Sequence, residues 1–281
     1  LRRGWEEPDV VLFSGDAYVD HPSFGSAVIG RVLEKCGLKV AMVPQPDWRG
    51  DHRDFTKFGK PRLFFALTSG CMDSMINHYT AGKRLRSDDA YSPEGRAGLR
   101  PDYAVTVYTR ILKELYPDVP VIAGGVEASL RRLTHYDYWS DSLKPSVLQE
   151  SGADMIVYGM GEKPIAEIVR LMEKGVPLSS LGTVEQAAFI EESVEEISTR
   201  KGWKDVYLFS HEECLADRKK FGENFILSEK ASVSDEPVRL IEKTGERYVV
   251  VNPPFTGLSS FDVDSGFDLP YTRLPHPKYR G

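Results

Sequence analysis

Short apolar runs recur through the first 176 residues, each ending in glycine or a cluster of polar residues. They are Asp9-Val-Val-Leu-Phe-Ser14, Leu38-Lys-Val-Ala-Met-Val43, Arg62-Leu-Phe-Phe-Ala-Leu67, Val119-Pro-Val-Ile-Ala123 and Ala153-Asp-Met-Ile-Val-Tyr158. Their apolar cores are near-continuous rather than alternating with polar residues, as expected of strands buried on both faces. Segments of helical period separate them. From Ser26 to Cys36 the residues Val28, Ile29, Val32, Leu33 and Cys36 share one face, and from Pro164 to Lys174 Ile165, Ile168, Val169 and Met172 do the same. Further helices are predicted from Asp102 to Leu115, behind Pro101, and from Pro145 to Glu150. Strand and helix in alternation predict an α/β fold: a doubly wound, five-stranded parallel sheet of the Rossmann or flavodoxin kind over residues 8–176, in the order 2-1-3-4-5 with right-handed crossovers.

From Gly175 onward the texture changes, and residues 177–281 are predicted to be a mixed extension and linking arm. The glutamate-rich stretch 184–200 reads as a solvated edge, and Asp205 to Ser232 as largely helical. Arg247-Tyr-Val-Val-Val-Asn-Pro-Pro254 reads as a strand halted by two prolines. Residues 255–281 have many turn formers and no periodicity, the pattern of an arm that packs on something else.

Ligands of open α/β sheets bind beyond the carboxyl ends of the strands. The loops after the predicted strands supply Asp16, Asp20 and His21; Trp48 to His52; Ser69 to Tyr79; Gly124 to Trp139; and Gly159 to Glu162. The densest stretch is 119–139, where a buried strand runs through Gly124-Gly125 into Glu127, Arg131 and His135. The candidate ligand-binding residues are therefore Asp16, Asp20, His21, Gly124, Gly125, Glu127, Arg131, His135 and Glu162. Each also has a structural reading: Asp16 as the brace of a turn, Glu127 and Arg131 as an i,i+4 helix pair. Neither Gly-x-Gly-x-x-Gly nor Gly-x-x-x-x-Gly-Lys-Ser/Thr is present, so a nicotinamide or P-loop site has no motif behind it.

Composition narrows the classes. A net charge of −6 without a run of lysines or arginines argues against bulk nucleic-acid binding, and no apolar stretch approaches the roughly 18 residues of a membrane span. Three scattered cysteines read as reduced thiols, which points to the cytoplasm. Six dispersed histidines form no ligand pattern, so no protein-held metal is expected in this chain. The chain opens without Met and stops at Leu-Pro-His-Pro-Lys-Tyr-Arg-Gly, and reads as a fragment of a longer protein.

Four ordered strings carry a resemblance: Phe-Ser-Gly-Asp-Ala-Tyr-Val-Asp-His-Pro-Ser-Phe-Gly at 13–25, Gly-Gly-Val-Glu-Ala-Ser-Leu-Arg-Arg at 124–132, Tyr-Gly-Met-Gly-Glu at 158–162 and Leu-Pro-Tyr-Thr-Arg-Leu-Pro-His-Pro at 269–277. Together they resemble the N-terminal part of YgiQ-type radical S-adenosylmethionine (SAM) proteins, over essentially the whole chain. The resemblance implies a cobalamin-binding-like α/β domain that precedes a radical SAM barrel. In that barrel a Cys-x-x-x-Cys-x-x-Cys loop holds a 4Fe-4S cluster, which binds S-adenosylmethionine. No such triplet occurs here, so Cys36, Cys71 and Cys214 are not reassigned as cluster ligands, and the fragment alone is expected to be inactive. Base-off cobalamin binding uses Asp-x-His-x-x-Gly, whereas the nearest match, Asp20-His21-Pro-Ser-Phe-Gly25, has other spacings. A base-on corrinoid, another ligand, or none remain open.

The leading expectation is thus the N-terminal domain of a radical SAM enzyme of unknown substrate, with its own downstream barrel as partner. The alternative is a non-catalytic module that captures an anion or nucleotide at Gly124-Gly125 with Arg131, Arg132 and the basic cluster 83–86, or that serves as a docking face.

Overall fold

The computed structural model describes residues 4–255 and 259–279. Residues 1–3 and 280–281, at the two ends on which the fragment reading rests, lie outside the described residues, as do 256–258 of the predicted arm. In chain order the strands are β1 (Val10–Ser14), β2 (Val40–Pro44), β3 (Phe64–Thr68), β4 (Val121–Gly124), β5 (His135–Asp137), β6 (Ser142–Lys144), β7 (Met155–Val157), β8 (Ala187–Glu191), β9 (Lys204–Leu208), β10 (Val238–Thr244) and β11 (Arg247–Val251). The helices are α1 (Gly25–Lys35), α2 (Arg53–Thr56), α3 (Ser74–His78), α4 (Ala104–Leu115), α5 (Gly125–Leu130), α6 (Val147–Ser151), α7 (Glu162–Met172), α8 (His211–Ala216), α9 (Arg218–Ser232) and α10 (Ser260–Phe267). None is long and apolar enough to cross a membrane among the described residues.

The five predicted strands all form and stand in the predicted order, β2-β1-β3-β4-β7, every pair parallel. Both faces are covered, which is why their sequences are apolar throughout. Val11 and Phe13 of β1 point into a core with Tyr108 and Leu112 of α4 and Leu148 of α6. Val10 and Leu12 point the other way, toward Leu33 of α1 and Ile165 and Ile168 of α7.

The sheet does not stop at five strands. It continues through β8, β11, β10 and β9 to nine, with β8 antiparallel to both β7 and β11. This corrects two expectations and adds a strand. The glutamate-rich stretch is no solvated edge in its middle: Ala187, Ala188 and Phe189 are buried inside the sheet, an apolar run hidden between acidic flanks. Residues 204–208 form a strand rather than the start of a helix, and the helix begins only where Ser210 and Glu213 build a capping box. The added strand, Val238–Thr244, pairs with both β9 and β11.

The terminal arm returns to the start of the chain. Asp20 N–H donates to Leu274 O, Arg273 N–H to Asp20 O and His276 N–H to Tyr18 O. Inside the arm, Ser259 and Asp262 form a capping box that starts α10, a helix without the periodicity that would have announced it.

Candidate functional site

A cavity of about 370 Å³ opens at the carboxyl ends of β1, β3, β4 and β7, between the starts of α1 and α7. Its floor is a row of side chains in register across the sheet, Leu12, Ala66 and Ile122, extended by Val157. Ile29 and Ile165 form walls, and Pro22, Ser23, Met160 and Glu162 also line it. Glycine backbone supplies much of the remaining surface. Gly125 has φ +82° and a Cβ there would lie 2.3 Å from Thr68 Oγ1, so no side chain fits. A Cβ on Gly161 would meet Ile29 Cδ1 at 3.1 Å. The cavity is predominantly apolar, the usual character of a site that buries an organic ligand.

Of the sequence candidates, Gly124, Gly125 and Glu162 line this cavity. The others do not, and most have partners of their own. Asp16 is buried, ion-paired with Arg100 at 2.8 Å and accepting from Cys71 N–H at 2.6 Å. Burial raises its carboxyl above the usual range, against the pull of Arg100. Asp20 is clamped by Arg31 and by Thr272 N–H. Burial alone would raise its pKa, but those hydrogen bonds outweigh it and hold the group down at about 2. His21, half-buried, accepts from Ser23 N–H at its Nδ1 and lies edge-on to Phe24.

Glu127 is 1% exposed and accepts from Ser74 N–H at 2.8 Å and Val105 N–H at 2.9 Å. It thereby satisfies orphan amides at the starts of α3 and α4, the latter lacking a side-chain cap of its own. Burial raises its pKa, with Arg131 opposing. Arg131 is ion-paired with Asp73, the N-cap of α3. His135 lies in β5, its Nε2 buried without a partner, and burial pushes its pKa down to about 4. The anion reading at Gly124-Gly125 thus loses Arg131, which the protein itself occupies, and Arg132, whose guanidinium lies over Tyr158 and donates to Ser129 O.

Ser26, Ile29, Cys71 and Met160 are cavity residues that the candidate set lacked. Cys71 and Met160 sit in the strand-end loops already singled out. Ser26 and Ile29 belong to α1, and only a three-dimensional placement of that helix brings them in. Cys71 is no ready nucleophile: burial, with the charge of Asp16, pushes its thiol up to about 12.

The first of the comparisons with known proteins settles the lineage. A family model described as "Radical SAM N-terminal" matches residues 1–281. The chain belongs to that family. The radical SAM N-terminal chain is 57% identical to a UPF0313 protein of Porphyromonas gingivalis over 279 residues, 99% of this chain and 44% of that protein. A UPF0313 protein of Bacteroides thetaiotaomicron is 55% identical, and one of Methanocella arvoryzae 45%, each over 99% of this chain. The chain spans less than half the length of these curated relatives.

Family membership poses the question of an iron–sulfur cluster, and the residues described here do not fit one. No group of three His, Cys, Asp or Glu side chains stands within reach of a common metal among the described residues. Cys36 is exposed at the end of α1, Cys71 lines the cavity and Cys214 is buried in α8. The three are far apart in sequence and stand on separate elements. His21, the nearest match to a cobalamin-ligating histidine, does not line the cavity.

Proposed function

We propose that the chain is the N-terminal recognition domain of a cytoplasmic radical SAM enzyme whose 4Fe-4S cluster and S-adenosylmethionine are held by the C-terminal part of the full-length protein. The observation that carries this is the family match over the entire chain, alongside relatives more than twice as long, in a chain whose cysteines are dispersed. Residues 8–176 supply recognition, and 177–281 lead toward the downstream barrel, the domain's constant partner. The cavity between α1 and α7 takes an uncharged, largely apolar part of a ligand: its floor is aliphatic, and Glu162 at its edge disfavours an anion.

The test is reconstitution of the full-length protein with iron and sulfide under anaerobic conditions, beside a variant in which Cys36, Cys71 and Cys214 are all serine. Equal iron content and equal cluster absorption are expected. Loss of the cluster in the triple variant contradicts the proposal.

A further inference from the structure

A second crevice, of about 490 Å³, opens on the opposite face of the same sheet end, between the loop after β2 and the long connection from β3 to α4. It shares no lining residue with the apolar cavity and has a different character. Four of its side chains carry a buried nitrogen with no hydrogen-bond partner among the described residues: Trp48 Nε1, Asn77 Nδ2, His78 Nε2 and Arg100 Nε. Asn77 and His78 are each 6% exposed and Arg100 is 1% exposed. An unsatisfied buried polar atom costs about 1–3 kcal/mol, and folded proteins leave few of them. Four around one crevice are a concentrated departure from that rule.

Other polar atoms of the same crevice are partnered. Arg100 Nη1 donates to Ser69 O at 2.9 Å and Nη2 to Asp89 at 3.0 Å. His78 Nδ1 lies 2.6 Å from Asp102 Oδ1, and Tyr79 O–H donates to Asp102 Oδ2 at 2.8 Å. A carboxylate at Nδ1 holds a ring proton there, and in that tautomer Nε2 is an acceptor. The vacant capacity is thus three donors, from Trp48, Asn77 and Arg100, and one acceptor, from His78.

The remaining charge also fits an anion. Arg49 and Arg86 line the crevice and are exposed; their recorded hydrogen bonds go to the carbonyls of Gly98 and Tyr79, and neither has a carboxylate partner among the described residues. The lining carboxylates are Asp88, exposed, and Asp89 and Asp102, which are held by Arg100 and by His78 with Tyr79.

We propose that this crevice binds a small oxyanion that also carries a hydroxyl proton, a phosphate group or a hydroxycarboxylate, with Trp48, Asn77 and Arg100 donating to its oxygens and His78 Nε2 accepting its O–H. Isothermal titration of the full-length protein with inorganic phosphate and, separately, with glycolate tests this. Saturable binding of at least one anion is expected, weakened about tenfold by Asn77→Leu and several-fold by Trp48→Phe, changes that remove donors while keeping apolar bulk. Binding of phosphate alone assigns the site to a phosphoryl group, and binding of glycolate alone to a carboxylate. No saturable binding of either, or unchanged affinity in a folded Asn77→Leu, overturns the proposal. Trp48→Phe decides in the same way if Asn77→Leu does not fold.

Discussion

Two buried charges, one in the parallel half of the sheet and one in its extension, are accommodated in opposite ways. Arg100 and Glu242 are each 1% exposed. Arg100 is compensated, with Asp16 on one side, Asp89 on the other and Ser69 O between them. Among the described residues Glu242 has only the N–H and O–H of Thr134, whose hydroxyl also lies 3.0 Å from His211 Nδ1. Burial therefore pushes Glu242 up to about 7, and the two bonds from Thr134 offset that only in part. Burial by compensation fixes geometry at any ordinary pH. Burial without a countercharge leaves the extension with a carboxyl that titrates near neutrality.

The largest effect is expected for Arg100→Met. It strands Asp16 and Asp89 without a cation, and breaking a buried pair in this way costs about 3–5 kcal/mol. Chemical denaturation at neutral pH reads it, and a loss below about 1 kcal/mol would remove one side of the contrast. Next comes Glu242. Its folded pKa of about 7 lies above the ordinary 4.5, so the folded state holds the proton more tightly. The stability this lends is present below pH 4.5 and disappears as pH rises through 7, a change of about 3 kcal/mol. Glu242→Gln is expected to flatten that slope and to be more stable than wild type at alkaline pH. Identical pH profiles for the two proteins contradict the assignment.

Smaller effects separate the two crevices. Removing the Asn77 amide, which has an unpaired nitrogen, is expected to leave ligand-free stability unchanged or raise it by up to about 1 kcal/mol, because an unsatisfied polar group is replaced by an apolar one. A clear loss of stability in Asn77→Leu would mean that the amide is structural. In the apolar cavity, Gly161→Ala brings a Cβ within 3.1 Å of a terminal methyl of Ile29 that can shift. About 1 kcal/mol or less is expected by thermal unfolding, much of it from a poorer N-cap on α7.

The parallel half was legible because its strands are buried on both faces, so Val10 to Phe13 and Phe64 to Leu67 are apolar without interruption. The extension was legible only in part: Arg247–Val251 forms the expected strand and α9 runs to Ser232, but the other strands were not. Ala187 to Ile190 is a short run between glutamates, and Lys204-Asp-Val-Tyr-Leu208 is exposed on most of its length, with no local sign of the β10 that it pairs with. At the strand ends the glycines and the charged residues are placed differently. Gly124 and Gly125 line the cavity, and the backbone freedom that allows it is a local property. Whether a carboxylate faces a ligand or another part of the chain depends on distant residues. Asp20 is held by an amide 252 positions away, and Glu127 by amides on α3 and α4. Those partners are invisible until the fold assembles them.

The most direct test of a recognition role is the cluster itself. Low-temperature electron paramagnetic resonance of the reduced full-length protein, with Cys36, Cys71 and Cys214 all replaced by serine, is expected to give the signal and iron stoichiometry of the unaltered protein. Disappearance of that signal would place a cluster ligand in this chain and contradict the account.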